Sequence, residues 1–340
     1  MGLCTKGFAG VSSTVNHVLL TGGAGFIGSH VAEAVLRRGL QLSVIDSLDN
    51  FYSPTAKRAN LEGVRKAGNF TFYEIDLCDF ETLRKTISKA RPDAIIHLAA
   101  RAGVRPSIES PQLYERVNVG GTVNLLEVAR QHGVKRFVFG SSSSVYGITN
   151  KVPFVEDDPC LRPISPYAAT KLAGEFFCHT YAHLYEISTV CLRFFTVYGP
   201  RQRPDLAIRK FATLMEAGNA IPVFGDGFMG RDYTFVDDTV AGVLAAVDYE
   251  FPPAATPFDI FNLGNSHPVS LNELIATLES VTGRVAVRER KDLQPGDVPI
   301  TWANIDKARR MLGYRPTTPL GEGLERFVRW LRSTHARRDS

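Results

Sequence analysis

The sequence predicts an α/β fold in which a doubly wound parallel sheet carries a smaller α+β lobe. Apolar runs typical of buried strands alternate with helical patterns through the first 195 residues. Beyond residue 195 the alternation stops, and short segments punctuated by proline and glycine follow. Regular alternation indicates a parallel sheet covered by helices on both faces, with ligands bound at the carboxyl ends of the strands.

The predicted strands are apolar or β-branched runs, and the predicted helices have apolar residues mostly on one side. Strands are predicted at 18–20, 42–45, 70–75, 94–100, 136–140, 189–195 and 258–264. Helices are predicted at 31–36, 57–66, 80–89, 120–132, 166–185 and 237–247. The run at 94–100 is almost wholly apolar, as expected when both faces of a sheet are covered.

These elements predict two lobes between two terminal segments. Residues 17–195 form the nucleotide-binding domain and 196–330 the second lobe, and the cleft between them is the expected substrate site. The helix and strand within 236–265 are free to return to the first domain. Residues 1–16 are expected to be a loose extension, and 331–340 a solvated basic tail.

Composition excludes several classes of partner. The net charge of +4 suits anionic small molecules but lacks the dense basic stripe that nucleic acid requires. No apolar run approaches about 18 residues, so we expect no membrane partner. The five cysteines are scattered without a CxxC pair. This spacing predicts no metal site, and reduced thiols in a cytoplasmic protein.

Three glycines at three-residue spacing follow the first predicted strand and precede the first helix. Gly22, Gly25 and Gly28 let the backbone turn sharply and approach a pyrophosphate, which the helix N-terminus attracts. The second strand ends at Asp46. An acid there accepts hydrogen bonds from both hydroxyls of an adenosine ribose and repels a 2′-phosphate. The combination predicts a Rossmann-type domain that binds NAD rather than NADP.

Tyr167 and Lys171 form the predicted catalytic pair. Four residues apart on a helix, their side chains lie on one face. A nearby ammonium lowers the pKa of a phenol, about 10 when free, and makes it a usable base. Ser142 ends the fifth strand, where its hydroxyl can bond the same substrate oxygen. A bare YxxxK pair is more often structural, but the glycine turn upstream favours catalysis.

Together these motifs resemble those of the extended short-chain dehydrogenases/reductases, which are nucleotide-sugar epimerases and dehydratases. The resemblance covers residues 17–330 and rests on segments 21–28, 76–77, 97–100, 143–147 and 231–238 with Asp46, Asn118, Tyr167 and Lys171. It implies that Asp76 and Leu77 flank the adenine of NAD. The residues it implies for the nicotinamide half are Ala99, Ala100, Asn118 and Phe194. The cofactor-binding residues it implies are Gly22, Gly25, Phe26, Ile27, Gly28, Asp46, Asn50, Asp76, Leu77, Leu98, Ala99, Ala100, Asn118, Tyr167, Lys171 and Phe194.

The resemblance also implies a UDP-sugar substrate, with the pyrophosphate held by Arg231. The substrate-binding residues it implies are Arg105, Ser142, Ser143, Ser144, Thr196, Arg203, Arg231 and Asp297. The structural alternative for Arg231 is a surface pair with its neighbour Asp232. The family's usual homodimer is the expected assembly, formed by the helices at 120–132 and 166–185, although core packing explains their apolar residues nearly as well.

Ser143 and Ser144 indicate the reaction. In the related 4,6-dehydratases these two positions carry Asp and Glu, and in the UDP-glucuronate decarboxylases the second carries Glu. Serine at both positions leaves oxidation and re-reduction, which is epimerisation. Segments 102–105, 195–205, 225–227 and 294–301 are similar to the UDP-glucuronate 4-epimerases in particular.

Thr196 and the arginines behind it indicate the substrate. Galactose-type 4-epimerases tend to have Asn where Thr196 stands, and Arg201 and Arg203 are placed to meet a C6 carboxylate. A solvated loop or general steering of UDP is the alternative for these arginines. Arg101 stands where that subfamily is expected to have glutamine. We therefore expect NAD-dependent 4-epimerisation of UDP-glucuronate to UDP-galacturonate through a 4-keto intermediate, with Tyr167 as base.

Other functions remain open at this point. A 4-epimerase of UDP-galactose or UDP-N-acetylglucosamine has the same fold and triad, whereas the two serines disfavour a UDP-sugar dehydratase or decarboxylase. A non-catalytic NAD-sensing protein is a further alternative, because fold alone does not establish function. The presence of Ser142, Tyr167 and Lys171 favours an enzyme.

Overall fold

A computed structural model describes residues 15–149, 151–253, 255–292 and 298–336. Its strands are β1 (His17–Thr21), β2 (Gln41–Ile45), β3 (Thr71–Tyr73), β4 (Ala94–His97), β5 (Arg136–Ser142), β6 (Ser188–Phe194), β7 (Thr196–Tyr198), β8 (Ile221–Phe224), β9 (Gly230–Phe235), β10 (Phe258–Leu263), β11 (Pro268–Ser270) and β12 (Arg288–Lys291). The predicted extension at 1–16 lies mostly outside these residues, as does the end of the predicted tail at 331–340.

The helices connect these strands and cover the sheet. They are α1 (Phe26–Arg37), α2 (Pro54–Arg65), α3 (Phe80–Ala90), α4 (Val104–Glu109), α5 (Pro111–Tyr114), α6 (Gly121–Gln131), α7 (Pro166–Tyr185), α8 (Ala207–Glu216), α9 (Val236–Asp248), α10 (Leu271–Thr282), α11 (Asp306–Leu312) and α12 (Leu320–Ala336). A π-helical turn precedes α6, and a 3₁₀ turn follows β5. None of the helices in the described ranges combines the length and apolar character needed to cross a bilayer.

The central sheet confirms the predicted fold class. In the described chain it has seven parallel strands in the order β3-β2-β1-β4-β5-β6-β10. The strand order reverses between β1 and β4, which opens a crevice at their carboxyl ends. Both faces of the sheet are covered by fully buried apolar side chains, so the strands are buried on two sides.

The predicted strands and helices of the first domain are present, with shifted ends. The run at 94–100 leaves the sheet after His97, because the backbone N–H of Leu98 donates to the carbonyl of Thr21 and that of Ala99 to the Thr21 hydroxyl. The predicted helix at 120–132 begins at Gly121, after the π-helical turn. The hydrophobic pattern alone therefore does not give either boundary.

The second half of the chain contributes to both parts of the fold. Strands β11, β9 and β7 form a small sheet, and β12 pairs with β8. The helix α9 packs against α1 and β5, and β10 pairs with β6 in the large sheet. The assignment of residue ranges to the two lobes remains a prediction.

Candidate active site

Two adjoining cavities lie at the carboxyl ends of the strands. The larger, of about 550 Å³, runs from the glycine turn after β1 to the end of β5. The smaller, of about 440 Å³, continues toward the second lobe. The cavities share Ser143, Ser144, Thr196 and Arg203, so they form one continuous cleft.

Most of the predicted site residues line this cleft. Those in the larger cavity are Gly22, Gly25, Phe26, Ile27, Gly28, Asp46, Asp76, Leu77, Leu98, Ala99, Ala100, Ser142, Tyr167, Lys171 and Phe194. Arg105 and Arg231 line the smaller cavity. Asp297 lies outside the described residues. Asn50 is exposed and does not line the cleft, because the loop after β2 directs Asp49, Phe51 and Tyr52 there instead.

The glycine turn forms a cradle for a phosphate. Gly22 has a left-handed φ of +74°, and a β-carbon on Gly28 would lie 2.1 Å from the Gly22 carbonyl oxygen. Only glycine at both positions lets α1 approach β1 so closely. The helix begins after Gly25 without a side-chain cap, so its first N–H groups are available to an anion at the positive end of the helix dipole.

Asp46 directly follows β2 and lies beside this glycine turn. Its carboxylate accepts the backbone N–H groups of Ala24 (3.1 Å) and Leu48 (2.9 Å), which fix its orientation beside the glycine turn. Burial raises the pKa of the Asp46 carboxyl, and the positive charge of Lys57 opposes this rise. These residues fit the adenosine ribose and pyrophosphate of NAD.

Lys57 is a cavity residue that the sequence analysis missed. It lies on α2 with only 7% of its surface exposed, and its ammonium donates to the Asp49 carbonyl at 2.7 Å. The ammonium also lies 4.9 Å from the centre of the Tyr52 ring. A lysine three residues after the proline that begins a helix gives no sequence signal of burial, so only the folded loop after β2 shows that Lys57 lies near Asp46.

The predicted catalytic residues come together where β5 meets α7. The helix begins at Pro166, capped by the Ser165 hydroxyl, which accepts the Ala168 N–H at 3.1 Å. Burial raises the pKa of Tyr167, while a hydrogen bond with Ser142 and the positive charge of Arg203 lower it. The pKa of Tyr167 therefore depends on both Ser142 and Arg203.

The contacts of Lys171 differ from the prediction that its ammonium lowers the pKa of Tyr167. Its ammonium donates to the Gly140 carbonyl at 2.7 Å and lies 5.0 Å from the centre of the Phe139 ring. Burial lowers the pKa of Lys171 to about 8. The cation that lowers the pKa of Tyr167 in this structure is Arg203, which the sequence analysis had assigned only to the substrate.

A buried ion pair supports the end of β5 from behind. The guanidinium of Arg193 binds both carboxylate oxygens of Glu175 at 3.0 and 2.8 Å, and the Ser141 hydroxyl donates to the same carboxylate at 2.5 Å. Both charged side chains are almost fully buried. Ser141 precedes Ser142, so this network fixes the strand end that carries the predicted catalytic serine.

A chain of hydrogen bonds holds the loop 98–101, which lines the larger cavity. His97 is fully buried, and its ring nitrogens lie 2.7 Å from the Thr21 hydroxyl and 2.9 Å from the Thr122 hydroxyl. Thr122 donates to the Asn118 carbonyl at 2.6 Å. Burial and the charge of Lys171 lower the pKa of His97 to about 3, so the ring is neutral and can accept from one hydroxyl while donating to the other.

Asn118 is buried behind the cavity rather than in its lining, and its contact with the nicotinamide half stays a prediction. Its side-chain oxygen accepts the Arg101 N–H at 2.7 Å, and its amide donates to the Arg101 carbonyl at 2.9 Å and the Thr170 hydroxyl at 3.0 Å. Asn118 therefore ties the loop 98–101 to α7.

Arg203 is the arginine that reaches the reacting end of the cleft. Its guanidinium binds the Asp205 carboxylate through two hydrogen bonds of 3.0 and 2.7 Å and lies over the Phe51 ring. Arg101 also lies over Phe51 and pairs with Asp49 at 2.6 Å. Thus Arg203, Arg101 and the loop after β2 together form one wall of the cleft.

Arg201, expected beside Arg203, lies outside the cleft. It pairs with Glu33 of α1 on the outer side of the loop. The alternative surface pair between Arg231 and Asp232 is also not the arrangement found. The buried Asp232 carboxylate instead accepts the backbone N–H groups of Asn265, Ser266 and Ala303 at 2.6 to 3.0 Å.

Known proteins resemble this chain over nearly its whole length. The profile of the family described as GDP-mannose 4,6 dehydratase matches residues 19–327. The UDP-glucuronate 4-epimerase of Thermodesulfobacterium geofontis is 41% identical over 317 residues, which cover 93% of this chain and 96% of that protein. UDP-glucuronate 4-epimerase 4 of Arabidopsis thaliana is 43% identical over 335 residues, which cover 94% of this chain and 76% of that protein.

Solved structures share the fold. The UDP-glucuronic acid 4-epimerase of Bacillus cereus, in complex with UDP-glucuronic acid and NAD, has a TM-score of 0.86 at 35% identity, covering 94% of this chain and 99% of that one. The UDP-glucose 4-epimerase of Thermotoga maritima, with UDP-glucose, also has a TM-score of 0.86, at 33% identity and the same coverage.

The lowered pKa of Lys171 predicts that this residue destabilises the fold. A lysine whose pKa falls from 10.5 to about 8 on folding opposes folding by about 3 kcal/mol at pH 7. Lys171→Met removes this unfavourable contribution to folding, and it also removes a hydrogen bond worth about 1 kcal/mol. We expect the variant to be about 2 kcal/mol more stable at pH 7.

The gain must fall as the pH rises from 8 toward 10.5, because the wild-type lysine becomes neutral in both states. Urea unfolding at pH 7 and pH 10, on protein freed of bound small molecules, measures it. A Lys171→Met variant that is less stable than the wild type at pH 7 would contradict this account.

Proposed function

This chain belongs to the extended short-chain dehydrogenase/reductase family, and we propose on that premise that it is an NAD-dependent UDP-glucuronate 4-epimerase. The observation that carries the proposal is the cleft, where Ser142 and Tyr167 lie near Arg203 and Thr196 beside a dinucleotide cradle. Relatives with this named activity are more than 40% identical over most of the chain.

The cradle supports NAD as the cofactor. Glycine at 22 and 28 lets α1 present its uncapped N-terminus to the pyrophosphate, and Asp46 with Lys57 supports the adenosine ribose. When bound, NAD accepts a hydride from C4 of the sugar and returns it. Lys171 lines the same cavity, where it would hydrogen-bond the nicotinamide ribose and add positive charge to the site.

Tyr167 is the proposed base. Its phenolate removes the proton of the C4 hydroxyl, while the Ser142 hydroxyl bonds the same oxygen and keeps it aligned. Arg203 favours the phenolate, because a positive charge near a phenol lowers its pKa. In the return step the hydride comes back to the other face of C4, and Tyr167 gives the proton back to the C4 oxygen.

The 4-keto intermediate must turn over within the cleft without losing CO₂. A carboxylate β to a ketone is lost easily when the bond to the carboxyl carbon overlaps the carbonyl π system. Arg203 binds a carboxylate through two parallel hydrogen bonds, as it does with Asp205 here. With Thr196 it would hold the C6 carboxylate near the ring plane, where that overlap is poor.

A second candidate is a 4-epimerase of neutral UDP-sugars, since a UDP-glucose 4-epimerase shares the fold equally well. Arg203 argues against it, because a largely buried cation whose carboxylate partner, Asp205, is exposed is costly beside a neutral sugar. Dehydration, the activity named for the family profile, is disfavoured because Ser143 and Ser144 supply no carboxylate next to Tyr167.

The first test is NMR of the purified protein with UDP-glucuronate, with no NAD added, following the anomeric protons. Formation of UDP-galacturonate without CO₂ is expected, with cofactor already bound. UDP-glucose and UDP-galactose serve as matched neutral substrates. Turnover of these alone would remove the carboxylate role of Arg203 and favour the second candidate.

Replacement of Arg203 tests the carboxylate clamp. In Arg203→Ala we expect the ratio of CO₂ and 4-keto-pentose to UDP-galacturonate to rise about tenfold, because a charged hydrogen bond worth at least 1.4 kcal/mol is lost. The pH at which Tyr167 becomes active should also rise, because the cation that lowers its pKa is gone. NMR product ratios between pH 6 and pH 10 measure both; an unchanged ratio would remove the role.

We also propose a homodimer formed through α7. The helix buries Leu172, Cys178 and Ala182 but exposes the apolar side chains Phe176, Phe177, Leu184 and Tyr185. Phe177 and Leu184 lie two turns apart on one face of the helix, with Phe176 and Tyr185 on either side of them, and α6 packs beside α7, so a second copy across a two-fold axis would cover this surface.

Sedimentation at micromolar concentration measures the assembly. The wild type should sediment with twice the mass of one chain, and Phe177→Glu should sediment as a monomer. Val285→Glu, at an exposed apolar residue far along the chain, is the control and should remain dimeric. A wild type with the mass of a single chain would end the proposal.

A cytoplasmic location is the remaining proposal. The described cysteines Cys78, Cys160, Cys178 and Cys191 are free thiols, and the last three are buried. Unpaired thiols persist in reducing compartments, where disulfides are rare.

A further inference from the structure

Arg201 makes a contact that the reaction described above does not use. Its guanidinium binds the carboxylate of Glu33, on the second turn of α1, and both side chains are largely buried. We propose that this ion pair is a positioning device: it fixes the loop 199–205 on the cofactor-binding helix so that Arg203 holds the substrate carboxylate correctly. The inference rests on the proposed epimerase function.

The space for Arg201 is built into two helices. A β-carbon on Gly63 of α2 would lie 2.9 Å from the Arg201 Nη2, so glycine there leaves the room that the guanidinium occupies. On α1, His30 lies one turn before Glu33, and its ring Nε2 is 2.9 Å from the Pro200 carbonyl. Burial lowers the pKa of His30, so the neutral ring donates this hydrogen bond from Nε2.

The backbone of the loop is unusual at the same residue. Arg201 has a left-handed φ of +66°, which is rare for a residue with a side chain. Such a conformation persists where surrounding contacts determine it. The ion pair with Glu33 and the hydrogen bond from His30 to Pro200 are contacts of this kind, so the loop path depends on α1.

The position of Arg203 depends more on the path of the loop 199–205 than on its ion pair with Asp205. Asp205, which binds its guanidinium, is 43% exposed, whereas the Glu33 side chain is 11% exposed. An exposed ion pair contributes little to holding a loop, whereas breaking a buried one leaves an unpaired charge. A displacement of about 1 Å at Arg203 is enough to weaken its hold on a carboxylate.

The test is the product ratio of the epimerase, CO₂ and 4-keto-pentose against UDP-galacturonate, in Arg201→Met and in Glu33→Gln. This ratio reports the fate of each intermediate, so a smaller folded fraction does not change it. We expect both variants to raise the ratio roughly threefold or more. Arg201→Lys, which keeps the charge, should restore part of the wild-type ratio.

A matched control uses the other partner of the same carboxylate. Arg37 binds the second oxygen of Glu33 at 2.7 Å, but its side chain is 65% exposed. Arg37→Met should leave the ratio at the wild-type value. An increase as large as that of Arg201→Met would overturn the proposal, since general disturbance of α1 would then explain both.

A double variant shows whether Arg201 acts through Arg203. If it does, Arg201→Met combined with Arg203→Ala gives the same ratio as Arg203→Ala alone, whereas additive effects would overturn the inference. A wild type that does not convert UDP-glucuronate refutes the proposed function and the inference together. A wild type that converts it, with the ratio unchanged in Arg201→Met, refutes the inference alone.

Discussion

The close approach of α1 to the turn after β1 is the constraint on which the rest of the site depends. It exists because Gly28 lies against the Gly22 carbonyl, where any β-carbon would collide. The approach brings the uncapped helix N-terminus to the cavity. The same helix carries Glu33, which contacts the loop 199–205. One packing contact therefore orients both the cofactor cradle and the loop that contains Arg203.

Around Tyr167 the protein accepts an electrostatic cost. Lys171 and Arg203 are cations with little exposed surface, and in the described part of the chain neither pairs with a buried carboxylate as Arg193 does with Glu175. These charged residues therefore have different roles. The Glu175–Arg193 pair is satisfied and holds the end of β5, whereas the other two charges face a cleft in which a substrate oxygen, a ribose and a carboxylate would bind.

The fold and the centre of the site were predictable because their signals are local. Alternating strands and helices, the glycine spacing and the Tyr167–Lys171 pair each depend on residues a few positions apart. Asn118, Lys57 and Arg201 were not predictable in detail. Asn118 acts through a loop 17 residues away, and Arg201 reaches a carboxylate 168 residues away, so their partners exist only in the folded chain. The short strands of the second lobe lacked the periodicity of a buried sheet.

The most direct test of the central claim follows a deuterium at C4 of UDP-glucuronate through one conversion. If C4 is oxidised and reduced within one closed cleft, the deuterium leaves and returns to the same carbon, so UDP-galacturonate must carry it at C4 without exchange with water. Loss of the label to solvent, or its appearance at another carbon, would contradict epimerisation in which the hydride removed from C4 returns to C4.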